Sequence, residues 1–303
     1  MAELVTVAIP AYSERFFPEA FASALAQTHA PLEILVCDDS PAEAIGNSVR
    51  AARDPRVRYV RNPRRLGFAA NFTACFRDAR GDLLKLLNDD DRLLPRCVES
   101  LAWVLESNRS VVLATSKRAV IDDAGQARPD IQATMGISLA SALIAGRELG
   151  DLVLVNAVNL IGEPSTVLFR RSALQVEGDS IFRWGGRDYH CLADLSIWLR
   201  LLKSGLGYYS SETLSQFRMH ESQEQNAAGV KLECLVERLW IAREARGAGF
   251  LRMGNAWRAA LAPIEARARM WQAVAGLDAA TRRAVDGVAA EIEAEIATAT
   301  GGS

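Results

Sequence analysis

The chain has 303 residues, 50% of them apolar and 24% charged, with a formal net charge of −2 and a pI near 6.0. Such a composition suits one large globular domain, or one domain with an appendage. It lacks the basic excess of a nucleic-acid binder, so no nucleic-acid partner is expected. No apolar run reaches the ~18 residues of a membrane span. The opening "MAELVTVAIPAY" has neither the basic region nor the long apolar core of a signal peptide. Five cysteines (Cys37, Cys75, Cys97, Cys191, Cys234) are odd in number and widely spaced, without a CxxC pair. Reduced thiols in a cytoplasmic protein are therefore expected.

Strands and helices alternate through the first hundred residues. "LVTVAIP" (4–10) reads as a short strand that ends at proline. A helix follows at 17–27, with apolar Phe17, Ala20, Phe21 and Leu25 at helical spacing. "LEILVC" (32–37), "VRYVR" (57–61) and "DLLKLL" (82–87) read as strands, and 41–53, 67–80 and 95–107 as helices. In the last, a proline stands near the first turn and Val98, Leu101, Val104 and Leu105 share a face. Beyond Ser116 the pattern is irregular, with a helix expected near 137–147. The apolar "GDLVLVNAVNLIGEP" reads as buried structure or an acceptor-side loop rather than a membrane helix. A strand is expected at 164–171, an amphipathic helix at 192–205 closed by Gly205, and strand-like stretches over 207–220. From about Val230 onward the composition is helical, and "ATATGGS" reads as a frayed tail.

Alternation of this kind implies βαβ units and a mostly parallel sheet, whose ligands bind at the carboxyl ends of the strands. The four segments that follow the first four strands are "PAYSE", "DDS", "RNPRR" and "NDDD". Polar groups of both signs thus collect on one edge, as a site would require. The last, Asp89–Asp91, places three like charges together. Two such charges ~5 Å apart repel by roughly 3 kcal/mol at an effective dielectric of 20. The run is either a solvated turn capping the next helix or a place for a positive partner.

Four segments, in order, resemble the family 2 glycosyltransferases of the GT-A fold: "VTVAIPAYSE", "QTHAPLEILVCDDS", "RRLGFAANFTACFRDARGDLLKLLNDDDRLLP" and "ADLSIWLRLLKSG". The resemblance covers about residues 4–222. It implies a Rossmann-like, mostly parallel α/β sheet flanked by helices, with a catalytic domain over 1–225 and an appended C-terminal helical region over 226–303. It implies an inverting enzyme that moves a sugar from a nucleotide diphosphate, UDP by preference, to a hydroxyl of a carbohydrate, lipid-linked or small-molecule acceptor. Mn²⁺ or Mg²⁺ would assist, held by hard ligands.

Carried onto this sequence, the resemblance makes Asp194 the catalytic base, with an N-cap aspartate as its bland alternative. Asp90 becomes the metal ligand, with Asp91 and His220 beside it and Asp89 near the ribose or diphosphate. Asp91 also suits a hydrogen bond back to the loop. Pro10, Ala11, Tyr12 and Glu14 would line the base pocket, where Tyr12 either stacks or packs. Either Asp38 or Asp39 would meet the uracil or ribose, unless the pair only shapes a turn. Arg65 would meet the phosphates, with Arg218 nearby, while Arg61 and Arg64 read equally well as a solvated basic loop. The glycines of "RWGGRDYH" (183–190) suggest a mobile acceptor loop. Three departures stand out: Pro41 follows Ser40 where the family has a D-D-G-S glycine, Asn88 replaces an aspartate, and Ala193 replaces a glutamate. Asn88 and Ala193 keep open a non-catalytic partner subunit, while Pro41 points only to a different loop. A sugar-phosphate nucleotidyltransferase is less favoured, since its glycine-rich loop is missing. The apolar faces of the C-terminal helices are expected to pack on the catalytic domain or on another subunit rather than on lipid, with a peripheral membrane contact as the alternative.

Overall fold

The computed structural model describes residues 2–221 and 228–300. The expected boundary at 225/226 and the last three residues of the tail lie outside them. Strands β1 (Val5–Ala11), β2 (Leu32–Asp38), β3 (Val57–Arg61) and β4 (Leu83–Leu86) run parallel in the order β3-β2-β1-β4. Helices α1 (Phe17–Leu25), α2 (Ala44–Ala52) and α3 (Phe68–Asp78) form the crossovers. Every residue of β1, β2 and β4 is buried, because helices cover both faces of the sheet. Successive side chains alternate between two cores. Val5, Val7 and Ile9 pack with Phe17, Phe21 and Ile45 of α1 and α2. Ala8 points to the other face, with Phe72 and Phe76 of α3.

The rest of the sheet is mixed. After β4 come β5 (Arg92–Leu93), α4 (Cys97–Ser107), β6 (Val111–Ile121), β7 (Ala127–Arg128), β8 (Ala142–Ala145) and α5 (Gly146–Asn156). Then follow β9 (Leu168–Arg170), the small hairpin β10 (Arg183–Trp184) and β11 (Arg187–Asp188), α6 (Ala193–Leu202) and β12 (Leu206–Arg218). β9 is antiparallel to both β4 and β6, β12 is parallel to β6, and β5 closes the far edge antiparallel to β12. The helix expected near 137–147 is not there. Residues 142–145 are an edge strand on β12, and the helix begins only at Gly146. A short apolar run does not by itself distinguish strand from helix. The start of α5 is set by close packing: a Cβ on Gly146 would lie 2.0 Å from the Leu202 carbonyl oxygen and 2.2 Å from that of Gly205.

Helices α7 (Ala228–Gly247), α8 (Ala256–Gln272) and α9 (Ala279–Thr300) complete the described chain. Their buried Leu235, Leu239, Leu261 and Ile292 belong to the same core as Phe182 and Trp198. Among the described residues no helix is long and apolar enough to cross a membrane. Cys37, Cys75 and Cys97 are free and buried. Cys191 and Cys234, in contrast, form a disulfide with Cα atoms 5.2 Å apart. This corrects the expectation of five reduced thiols. The two partners are 43 residues apart in sequence and meet only because α7 packs against the segment leading into α6.

A candidate active site at the strand tips

The registers of the parallel strands bring their ends level. Ala11 pairs with Asp38, Asp38 with Arg61, and Ala8 with Leu86. The four polar segments therefore open on one edge, at a cleft of about 400 Å³. Its lining includes Pro10, Tyr12, Asp39, Arg65, Asp89, Asp90, Asp194 and His220. Ala11, Asp38, Asp91 and Arg218 stand behind this surface, and Glu14 is exposed outside it.

The three adjacent aspartates divide their partners, which is how the chain tolerates them. Asp89 Oδ2 accepts the N–H groups of Tyr12 and Ser13, both at 2.7 Å. It thereby ties the first loop to the fourth. Burial and the Asp90 charge push the Asp89 carboxyl up to about 6, against the pull of those amides. Asp90 Oδ2 faces His220 Nε2 at 3.1 Å in the cleft. Asp91 turns inward: Oδ2 accepts from the Ser165 hydroxyl (2.6 Å) and Asn88 Nδ2 (3.2 Å), and Oδ1 accepts from the Arg218 amide (2.9 Å). Burial and Asp90 hold the Asp91 carboxyl well above the usual range. Beneath them lies buried Lys85 of β4. Burial lowers its ammonium, and the Asp91 charge is among the groups that support it.

Asp38 and Asp39 differ in what they do. Asp38 accepts from the Tyr59 hydroxyl (2.6 Å) and the Ser40 amide (2.9 Å), away from the cleft. Asp39 lines the cleft and holds the third loop. Its oxygens accept from Asn62 Nδ2 (2.9 Å) and from the amides of Leu66 (2.7 Å) and Gly67 (2.8 Å). Gly67 bends there with φ +84°, a left-handed angle that glycine takes without strain. The loop so held carries Arg65, whose guanidinium sits 4.5 Å from the centre of the Tyr12 ring. Arg61 turns to Glu43, at 3.0 Å.

The Arg218 guanidinium is fully buried behind the tip. It donates to the carbonyls of Asp90 (2.8 Å), Asp122 (2.8 Å) and Asp123 (3.1 Å) and pairs with Glu19 at 2.5 Å. These bonds fix the turn that presents Asp90.

Asp194 lines the same cleft, in the first turn of α6. Oδ1 accepts the Leu195 amide at 2.7 Å, and Oδ2 accepts Asn159 Nδ2 at 2.8 Å. Burial and the nearby Glu163 charge push its carboxyl up to about 7, opposed by Arg118 and those two bonds. Glu163 is paired with buried Arg118 at 2.6 Å. A base near neutrality, with one edge on the cleft, can take a proton from a bound hydroxyl. Arg238 of α7 is within electrostatic reach: burial lowers its guanidinium to about 10, with Arg267 acting in the same sense and Asp194 opposing.

Sequence reasoning missed Glu163, Asn159, Arg118 and the aromatic wall made by Phe68 and Phe182, whose rings stack 5.2 Å apart. Glu163 offered one signal, a lone acidic residue ahead of the strand at 168–170. The others become visible only once the sheet is assembled.

Residues 6–176 match the family model described as "Glycosyl transferase family 2". An uncharacterized protein of Mycobacterium tuberculosis is 33% identical over 210 residues, 66% of this chain and 62% of its own length. The putative glycosyltransferase EpsE of Bacillus subtilis is 25% identical over 213 residues, 68% of this chain and 69% of its own. Among solved structures, residues 1–349 of S. aureus TarS, in complex with UDP-GlcNAc, superpose with a TM-score of 0.55 at 12% identity, covering 97% of this chain and 92% of that one. At that identity the likeness speaks to the fold. With the family match spanning more than half the chain, the protein belongs to glycosyl transferase family 2.

Proposed function

We propose that the protein transfers a sugar from a UDP-linked donor to an acceptor hydroxyl with inversion, assisted by a divalent cation. The observation that supports this reading is that Asp90, His220 and Asp194 all line a single cleft. Asp90 Oδ2 and His220 Nε2 fit a cation in one mode. Among the described residues no three His, Cys, Asp or Glu side chains form a cage. A pair of protein ligands suits a cation whose shell is completed by the donor's phosphates, a common arrangement for Mg²⁺-type ions. When bound, the ion would neutralise charge on the departing diphosphate. Asp91 stays outside this ligand pair, because its oxygens are taken by Ser165, Asn88 and the Arg218 amide.

The remaining roles belong to the chain itself. Arg65 stands at the cleft to meet phosphate oxygens, and Asp39 keeps its loop in place. Tyr12 offers a half-exposed ring for the base. Asp194 would remove the acceptor proton as that oxygen attacks the anomeric carbon from the face opposite the diphosphate. The UDP assignment draws support from the UDP-GlcNAc bound by the TarS neighbour.

A thermal-shift panel of UDP-, dTDP- and GDP-sugars, each with and without Mn²⁺, tests the reading. UDP-sugars with Mn²⁺ should raise the melting point by mass action, and the same sugars with EDTA should raise it less. A shift with no nucleotide-sugar, or an equal shift in EDTA, would count against it.

A further inference from the structure

We propose that Glu237 of α7 is a positioning residue for Asp194, so that the C-terminal helices complete the active site. This inference rests on the assignment of Asp194 as the base. The Glu237 side chain is 2% exposed. Its Oε1 accepts the His190 amide and its Oε2 the Leu192 amide, both at 2.7 Å. Leu192 is the residue that caps α6, and Asp194 is the second residue of that helix. No side chain caps α6 from its own N-cap position, and the backbone amide of that N-cap residue is held by Glu237 of α7.

The neighbouring contacts follow the same line along α7. Cys234 bonds Cys191, and Glu233 faces His190 Nδ1 at 3.3 Å. Trp240 lies under the Arg187 guanidinium at 5.2 Å, and Glu244 pairs with Arg187 at 3.1 Å. Positions 233, 237, 240 and 244 fall on one helical stripe, with 234 beside it. The chain lies close to this stripe: a Cβ on Gly185, at φ +59°, would sit 2.2 Å from the Glu244 carboxyl carbon. The segment 185–192, whose paired glycines suggest a mobile loop in the sequence, is thus strapped to α7.

Removal of the Glu237 carboxylate would leave two amides without their acceptor in a buried turn. Such groups move toward water when they can, because an unmet buried donor is unfavourable. The turn 190–192 would shift, and Asp194 with it. A displacement of about 1 Å at a reacting group can lower the rate by roughly 10²-fold.

The test uses the full chain with Glu237→Ala, Glu237→Gln and Asp194→Asn. Three quantities are read: amide hydrogen exchange over 189–195, UDP affinity in Mn²⁺ by calorimetry, and UDP release from UDP-glucose and UDP-GlcNAc in water. For Glu237→Ala, exchange over 189–195 should speed up by about tenfold or more, with β1 and β4 unchanged. UDP release should fall on the order of 10–10²-fold, with UDP affinity within about twofold of wild type. Glu237→Gln keeps one acceptor oxygen and should recover part of both losses. It also carries the test if the alanine variant does not fold.

Unchanged exchange would overturn the role, and so would an affinity loss as large as the rate loss. Loss of turnover in Asp194→Asn with full turnover in Glu237→Ala would overturn this role alone. Full turnover in Asp194→Asn would remove the base, and this role with it. If the wild-type chain releases no UDP from either sugar, the exchange measurement decides.

Discussion

Asp194→Asn is expected to reduce sugar transfer on the order of 10²–10⁴-fold, the usual contribution of a positioned base. UDP affinity should stay near wild type, since the hydrogen bonds of Asp194 go to Asn159 and Leu195 and not to Asp90 or His220. The same variant should be more stable than wild type at pH 8 and no more stable near pH 4. The sign follows from the raised carboxyl, at about 7 against an ordinary 3.8. Below the lower value the side chain is neutral in both folded and unfolded chains. Between the two, only the unfolded chain ionises, so the stability present at low pH is lost as pH rises through about 7. Asparagine never ionises and avoids that loss. The full difference corresponds to at most ~4 kcal/mol; because one edge of Asp194 meets water, about 1–3 kcal/mol is expected. Calorimetric melting at the two pH values measures it. The wild-type kcat should rise with pH to a plateau, with an apparent pKa near 7 as Asp194 becomes able to accept a proton.

The second large effect belongs to Asp90. Asp90→Ala should abolish the Mn²⁺ dependence of UDP binding and lower transfer by about 10²-fold or more, as several kcal/mol of leaving-group stabilisation is lost. Its melting temperature should change little, because among the described residues the side chain's hydrogen-bond partner is His220 alone. Asp91→Ala makes the contrast. There the Ser165 hydroxyl, Asn88 amide and Arg218 backbone N–H lose a shared buried acceptor. A loss of about 2–4 kcal/mol in denaturant unfolding is expected. Adjacent residues of one charge type would then separate into one that serves the ligand and one that serves the fold. Equal effects of the two substitutions on metal-dependent binding would contradict that division.

The first half of the chain was legible because its information is local. Apolar runs predicted β1 to β4, including β3 at its observed bounds of Val57–Arg61. Parallel pairing then places their polar ends together without further input. What was not legible depends on distant pairing. Antiparallel β5 and β12 bring the Arg218 amide to Asp91, 127 residues away. The sequence offers Arg218 as a phosphate ligand, whereas its bonds make it the buried brace of the Asp90 turn. Glu163 comes to Asp194 from the turn ahead of β9, and Glu237 reaches His190 from 47 residues downstream. No periodicity encodes such contacts. The Cys191–Cys234 pair was hidden for the same reason. The 137–147 segment failed differently: a four-residue edge strand beside a glycine-started helix carries too few residues for its period to show.

Attack from the face opposite the diphosphate, with Asp194 as the base, is tested most directly by the anomeric configuration of the first-formed product. With an α-linked UDP-sugar that the thermal-shift panel identifies as a ligand, the proton NMR coupling of the new anomeric centre should report a β product from the earliest time points. An α product at those times would mean retention, and would contradict a single displacement with Asp194 as the base.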